Sequence, residues 1–431
     1  MSNNLPQKAA FLLYNLCWGL AIPVLRFKLH SVQRSDQRIL KSKKSAADLW
    51  IQAASVGESY LTWSLLKGLK PVRPIKVIVT SNTIQGVKVL ESAIKDITPN
   101  DRGVCASVAY FPFDKPSIME DTVRKIRPKI MVLLESEMWP GLLDALKKYN
   151  CKTIIINGRI TTKSLRRYLI WPSFWHRIRP DKILAISNDD ANRFVRLFSD
   201  ETVETMNNIK FDRIGHPDTS SFTYNPLTKI IPPRSSLIVL GSIRQQEETE
   251  VKKIIIDLRR RQPKTIIGLF PRHIHRIKYW KKALKRLKIP WTVRSEIENH
   301  VPQGTLILWD TFGELGMAYR LSRAAFVGGS LAPLGGQNFL EPLSSGVIPV
   351  IGPFWDNFAW IGREIIAQGL VQEAADWKSV ADALVKSLQK SSSHEKVREA
   401  VYEYVKIHQG GTARACHLIN EFLSGFPGKT C

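Results

Sequence analysis

Leu49-Trp50-Ile51-Gln52-Ala53-Ala54-Ser55-Val56-Gly57-Glu58-Ser59 reads as a short strand that runs straight into a turn and a helix start. The same plan repeats outward from it. Short β-branched runs alternate with helix-length amphipathic segments, the signature of βαβ units and parallel sheets. In the first half strands are expected at 49–53, 76–80, 108–113, 130–135, 153–156 and 183–187. The stretch 213–234 carries Pro217, Pro226, Pro232 and Pro233 without periodicity, as a linker would. A second series then places strands at 237–241, 265–270, 305–309, 324–327 and 347–351. The expected fold is α/β, with two Rossmann-like doubly wound domains facing a cleft. The domain limits are 1–30 for an N-terminal anchor, 31–216, a linker at 217–234, and 235–431 with the C-terminal helices. The helical pattern of 395–423 could pack anywhere on this scaffold.

The 431 residues are 44% hydrophobic and 23% charged, which excludes disordered and fibrous classes. A total of 63 Lys+Arg against 38 Asp+Glu leaves +25, a surplus that draws a chain toward anionic lipid, a phosphorylated substrate or nucleic acid. Five cysteines without a C-x-x-C pair point to a reducing compartment and no structural zinc. Ala9 to Leu25 is uncharged and is followed by Arg26, Lys28, Arg34, Arg38, Lys41, Lys43 and Lys44. By length and the positive-inside rule it is expected to be an anchor, single-pass or interfacial, with the bulk of the chain on the cytoplasmic face of an inner membrane. A core helix and a signal peptide are the alternatives. The 159–182 stretch interleaves seven basic residues with Tyr168, Trp171, Phe174 and Trp175, a mixture suited to a membrane interface or to single-stranded nucleic acid. In 272–288 the charges read as a solvated helix face.

In doubly wound sheets ligands bind beyond the carboxyl ends of strands, so the chemistry is sought in the loops there. Glu58 lies at a helix start after the first strand, either as a helix-stabilising carboxylate or as a base facing the cleft, with Gly57 letting backbone turn. Glu135-Ser136-Glu137-Met138-Trp139-Pro140 puts two carboxylates and an apolar plate after the fourth strand, which suits sugar hydroxyls or merely a solvated loop. In the second half Gly241-Ser242, Pro271-Arg272-His273, Asp310 to Leu315 and the glycine loop Gly328 to Glu341 follow successive strands and would converge on a nucleotide-shaped site. There is no P-loop, no G-x-G-x-x-G after a strand, no H-E-x-x-H and no D-x-D pair, which disfavours metal dependence. His273 and His275 lack partners at ligand spacing.

Together Ala54 to Glu58, Glu135 to Pro140, Asn157-Gly158-Arg159, Asn208 to Asp212, Pro271-Arg272-His273, Asp310 to Leu315 and Gly328 to Pro342 resemble the Kdo transferases of lipopolysaccharide synthesis, in order and spacing from about residue 10 to 420. The resemblance implies a GT-B glycosyltransferase that moves Kdo from CMP-Kdo to the lipid A precursor, with inversion and with no metal or other cofactor. Its partners would be that donor, that acceptor and anionic inner-membrane lipids, with no nucleic acid. Carried over, Glu58 is the general base, and Ser55, Gly57, Glu137 and Arg159 lie on the acceptor side. Pro271, Arg272, Gly313, Glu314, Leu315, Asn338 and Glu341 hold CMP. Ser242, Lys210, His273 and Gln337 are secondary candidates. Gln337 stands where the family usually has His, so it can donate a hydrogen bond but cannot become a cation. The alternatives are a related transferase with another nucleotide-sugar donor, and a basic nucleic-acid or membrane-binding protein.

Overall fold

The computed structural model describes residues 5–28, 38, 46–98, 103–214, 225–233, 235–389 and 393–425. Half of the expected linker and most of the basic segment after Arg26 lie outside these residues. The chain divides into two compact units, one formed by residues 1–214 with 408–431 and the other by 215–407.

The first unit is built on a seven-stranded, all-parallel sheet. Its strands are β1 (Leu49–Ala53), β2 (Ile75–Ser81), β3 (Val104–Tyr110), β4 (Ile130–Leu134), β5 (Lys152–Gly158), β6 (Lys182–Ala185) and β7 (Val203–Thr205), in the order β3-β2-β1-β4-β5-β6-β7. Leu49, Ile51 and Ala53 of β1 face one helical layer, and Trp50 faces the other. This strict alternation inside an almost wholly apolar strand reflects burial on both faces, as parallel sheets require. The aromatics of the basic stretch are part of this core. Phe174 and Trp175 are 4% and 7% exposed, and Tyr168 and Trp171 pack against the same cluster. Phe174 and Trp175 are therefore committed to the core rather than to an aromatic surface, and Tyr168 and Trp171 are half-buried beside them.

The last helix, Gly411–Ser424, also belongs to the first unit, whereas the sequence reading assigned it to the second domain. Ala415, Cys416, Leu418, Ile419 and Leu423 complete the layer over Leu61, Leu65 and Leu66. A Cβ on Gly68 would stand 2.9 Å from Cys416 Sγ, so the two helices meet where one lacks a side chain. The carboxylate of Asp212 accepts hydrogen bonds from Gly410 N (2.6 Å) and Thr412 N (2.5 Å) and seats the helix start.

Helix Leu5–Lys28 corrects the expectation of a membrane-spanning anchor. Among the described residues no helix is long and apolar enough to cross a membrane. Asn15, Gly19 and Pro23 dilute its hydropathy, and one face is committed to the first unit. Phe11 packs on Phe174 (5.7 Å between rings), Trp18 on Phe113 (5.9 Å), and Tyr14 donates to Asp114 (2.8 Å). Asp114 is buried at the start of helix Pro140–Lys148, where it also accepts from Gly141 N (2.9 Å) and Leu142 N (2.7 Å). Burial pushes its carboxyl up to about 7 against these donors, and pushes the Tyr14 hydroxyl up as well. The single-pass or interfacial inner-membrane location is accordingly not retained.

The second unit repeats the plan with β8 (Leu237–Ile243), β9 (Ile266–Pro271), β10 (Trp291–Val293), β11 (Leu306–Leu308), β12 (Ala324–Val327), β13 (Pro349–Ile351) and β14 (Gln372–Glu373). All its pairings are parallel and the order is β10-β11-β9-β8-β12-β13-β14. Ile238 and Leu240 point into one layer, Leu237 and Val239 into the other. Trp280 and Leu284 of helix Ile277–Leu287 are buried, which leaves its basic residues as the solvated face that was expected.

Candidate active site

In the first sheet β1 and β4 are neighbours although β2 and β3 separate them in the chain. Growth of the sheet reverses there, and loops leaving the carboxyl ends on either side of such a switch point flank the ligand crevice. The loop after β1 carries Ser55, Gly57 and Glu58; the one after β4 carries Glu135 and Glu137.

Ser55 caps helix Val56–Gly68. Its hydroxyl accepts from Glu58 N (3.3 Å) and donates to Glu58 Oε1 (3.1 Å), while Glu58 Oε2 accepts from Ala54 N at 2.5 Å. This is a capping box, so Glu58 does stabilise the helix start. It is nevertheless 8% exposed, and burial raises its pKa, with the nearby Glu135 charge adding to the rise. Gly57 differs from expectation: it lies in the first helical turn without a positive φ, and nothing but Ser55 Oγ lies within 4 Å of an added Cβ. Its role there is to leave the helix start open rather than to make a turn.

Glu137 accepts from Trp139 Nε1 at 2.6 Å and is hydrogen-bonded by Gln52. Burial, reinforced by the Glu58 charge, raises it to about 7. The charge of Glu58 thus disfavours ionisation of Glu137. Gln52 is a buried amide within β1; its Oε1 accepts from Thr80 (2.5 Å), whose oxygen accepts from Trp50 Nε1 (2.9 Å). Glu135 has φ +53°, a left-handed conformation rare outside glycine, and pairs with Lys210 at 2.6 Å. Arg159 follows β5, with its backbone N–H bonded to Glu135 O (3.2 Å). Lys210, Glu135, Glu58, Glu137 and Arg159 thereby lie in the segments that follow strands at the carboxyl end of the sheet. Gln52 was not read from the sequence, although a polar residue in an apolar strand is a usable signal.

In the second unit the switch point lies between β8 and β12. Glu247, also missed in the sequence, bridges the two loops there. Its buried carboxylate accepts from Arg244 N (2.8 Å) in one loop and from Gly329 N (2.6 Å) and Leu331 N (3.4 Å) in the other. A Cβ on Gly328 would come within 2.4 Å of Glu247 Oε1, so only glycine admits that contact. Gly329, Gly335 and Gly336 all have positive φ. Ser242 is left-handed at φ +57°, beside a Gly241 that leaves room for the Tyr319 hydroxyl.

Arg272 and His273 are exposed after β9, and His273 has its pKa lowered, first by desolvation and then by Arg244, His275 and Arg272. The cation of this loop is therefore Arg272, suited to phosphate oxygens, with His273 beside it as a neutral hydrogen-bonding ring. Pro271 ends β9. Glu314, expected among the CMP contacts, has its side chain engaged within the unit: Arg294 grips it through two bonds of 2.9 Å, and Trp309 Nε1 (2.7 Å) and Thr311 (2.9 Å) complete its shell. Its carboxylate serves the scaffold, and Arg294 with these donors holds its pKa down against burial. The open elements there are Gly313, at φ +83° with nothing near its Cβ position, and the backbone that starts helix Leu315–Leu321. Glu341 Oε1 lies 3.2 Å from where a Cβ on Gly316 would be, and burial raises its pKa. The glycine loop and the Gly313–Leu315 turn therefore meet. Asn338 is exposed, its Oδ1 accepting from Leu340 N (3.2 Å), while Gln337 donates to Gly336 O (3.1 Å) and packs on Gly329.

Residues 30–213, essentially the first unit before its final helix, match the sequence model of the 3-deoxy-D-manno-octulosonic-acid transferase (kdotransferase) family. Similar proteins extend the likeness into the second unit. A 3-deoxy-D-manno-octulosonic acid transferase of Haemophilus influenzae is 28% identical over 87% of this chain and 87% of its own length, and one of Bordetella pertussis is 27% identical over 88% of each. The chain is a homologue of the Kdo transferases. As such it is a glycosyltransferase enzyme. A bifunctional glycosyltransferase/methyltransferase of Fusobacterium nucleatum is 29% identical over 84% of this chain, which spans 55% of that protein's length. Among solved structures, a glycosyltransferase from Rickettsia africae superposes with TM-score 0.57 at 12% identity, covering 89% of this chain and 100% of that one. The fold of this Kdo-transferase homologue is thus of the GT-B type.

Proposed function

We propose that the chain transfers Kdo from CMP-Kdo to a hydroxyl of the lipid A precursor, with inversion and without a metal ion. The observation that carries this reading is the pair of carboxylates, buried Glu58 and half-buried Glu137, at the switch point of the unit that matches the kdotransferase family. In the proposed step the acceptor oxygen attacks the anomeric carbon, Glu58 takes the hydroxyl proton, and the bond from that carbon to the phosphate oxygen breaks as CMP leaves. A base whose pKa is raised toward neutrality suits a neutral alcohol. Glu137, with Ser55, Gly57 and Arg159 beside it, orients the acceptor. Lys210 neutralises Glu135 and so limits how far Glu58 is pushed up. In the second unit Arg272, with Pro271, His273 and Ser242 flanking it, and the N–H groups of the glycine loop stabilise the departing phosphate. Gly313, Leu315, Asn338, Glu341 and the backbone of Glu314 hold the nucleoside, and Gln337 supplies a neutral donor. The acceptor's phosphates and anionic lipid account for the +25 charge.

The test is mass spectrometry of the lipid A precursor after incubation with the protein and freshly generated CMP-Kdo, in detergent with EDTA. A gain of one or more Kdo masses is expected. No gain from a folded protein that still binds CMP would assign the scaffold to another sugar or acceptor, and inhibition by UDP rather than CMP would assign another nucleotide.

A further inference from the structure

The second unit contains a cavity of ≈ 440 Å³ remote from the loops just described. Its wall includes Arg323, Ile348 and Gln372, which directly precede β12, directly precede β13, and open β14. These three strands are parallel, so the cavity lies at their amino ends, whereas the glycine loop leaves the carboxyl end of β12. The far wall comes from Lys386, in the last turn of helix Trp377–Gln389, and His394, which opens helix His394–Ile407. No Asp or Glu is among the lining residues. The His394 imidazole has its pKa lowered, chiefly by burial and then by Arg398 and Arg323, although it bonds to the Ser322 backbone. Gly346, left-handed at φ +85°, closes the cavity tightly: a Cβ there would lie 2.4 Å from His394 O.

We propose that this cavity binds a small phosphorylated molecule, at a site separate from the donor loops. The guanidinium of Arg323 and the ammonium of Lys386 line one cavity with no Asp or Glu among its lining residues, a neutral His394 ring adds a hydrogen-bonding group, and such cations form their strongest hydrogen bonds with phosphate oxygens. The volume falls within the range of small-molecule sites and exceeds what a bare ion needs. Arg323 and Lys386 are exposed, so they are available to a ligand and can be replaced without opening the core.

Isothermal titration of the full-length protein with a hexose monophosphate, with and without saturating CMP, tests the proposal, alongside inorganic phosphate and citrate as comparison titrants. One saturable site is expected, unaffected by CMP, and weakened by at least about tenfold in Arg323→Ala/Lys386→Ala through loss of charge-assisted bonds. Circular dichroism of that variant should match the wild type. Absence of saturable binding, equal affinity in the double variant, or loss of binding when CMP is present would each overturn it. Citrate binding as well as the hexose phosphate would refute the phosphate class, and inorganic phosphate binding as well would mean an adventitious ion only.

Discussion

Glu58 closes a capping box with the same carboxylate that is proposed to accept the acceptor's proton. Glutamine in its place keeps an oxygen for Ala54 N but cannot take a proton. Glu58→Gln should therefore fold normally, with a melting temperature within a few degrees of wild type, and lose roughly 10²–10⁴ in transfer rate. Steady-state Kdo transfer with parallel thermal unfolding checks both halves. Lys210 gives a second test. Removing its charge leaves Glu135 unbalanced, and since the Glu135 charge raises Glu58, the base holds its proton to higher pH. Lys210→Met is expected to move the acid limb of the kcat/KM profile upward, and Lys210→Arg to restore it; an unmoved limb in the methionine variant would remove Lys210 from the proposed machinery. Glu58 could be found in the sequence because a carboxylate after a strand stands out. Gln52 and Glu247 could not be found as easily, because their importance comes from partners 30 and 82 residues away in the chain, Asn82 and Gly329.

Elements were legible where they are long and apolar. β1, β4, β8 and β12 read directly from runs buried on both faces. β7, β10 and β14 are edge or near-edge strands of two or three residues, too short to carry a period. β3 begins earlier than the apolar run suggested, because Val104–Tyr110 alternates between intermediate and exposed positions at the edge of the sheet. The glycine loop was visible, but the carboxylate that shapes it was not. Glu247→Ala should strand the N–H groups of Arg244, Gly329 and Leu331, costing roughly 2–4 kcal/mol of stability and weakening CMP binding, as denaturant unfolding and titration would report. At the other end of the chain Asp114 makes stability depend on pH. Its folded-state pKa of about 7 lies above the ordinary 3.8, so the folded protein binds a proton that the unfolded chain lacks between those values. Its contribution is fullest below about pH 4 and is lost as pH rises through about 7. Asp114→Asn should flatten that part of the stability profile, measured by urea unfolding at intervals from pH 4 to 8.

Across the whole molecule, doubled α/β architecture was written in the repeated strand–helix rhythm, while the place of the last helix was not. The pattern of Gly411–Ser424 shows an apolar stripe, but a stripe says only that something covers it. What decides its place is the gap at Gly68 and the Asp212 carboxylate, both in the first unit. Deleting residues 408–431 should consequently destabilise the first unit and leave the second folded, and amide exchange mapped by mass spectrometry would show protection lost over β1, β2 and β5 but kept over β8, β9 and β12.

The same helix has a consequence for how the chain is made. On the ribosome, residues 46–214 emerge early with a seam over Leu61, Leu65 and Leu66 still open, and the piece that closes it is made only after the second unit. Domains ordinarily fold as units, first-made first, during synthesis. Here the second-made unit is complete before the first, and a chain cut short of residue 411 leaves the first unit unfinished. Translation past Ser424 is therefore a condition for a closed core in the first unit.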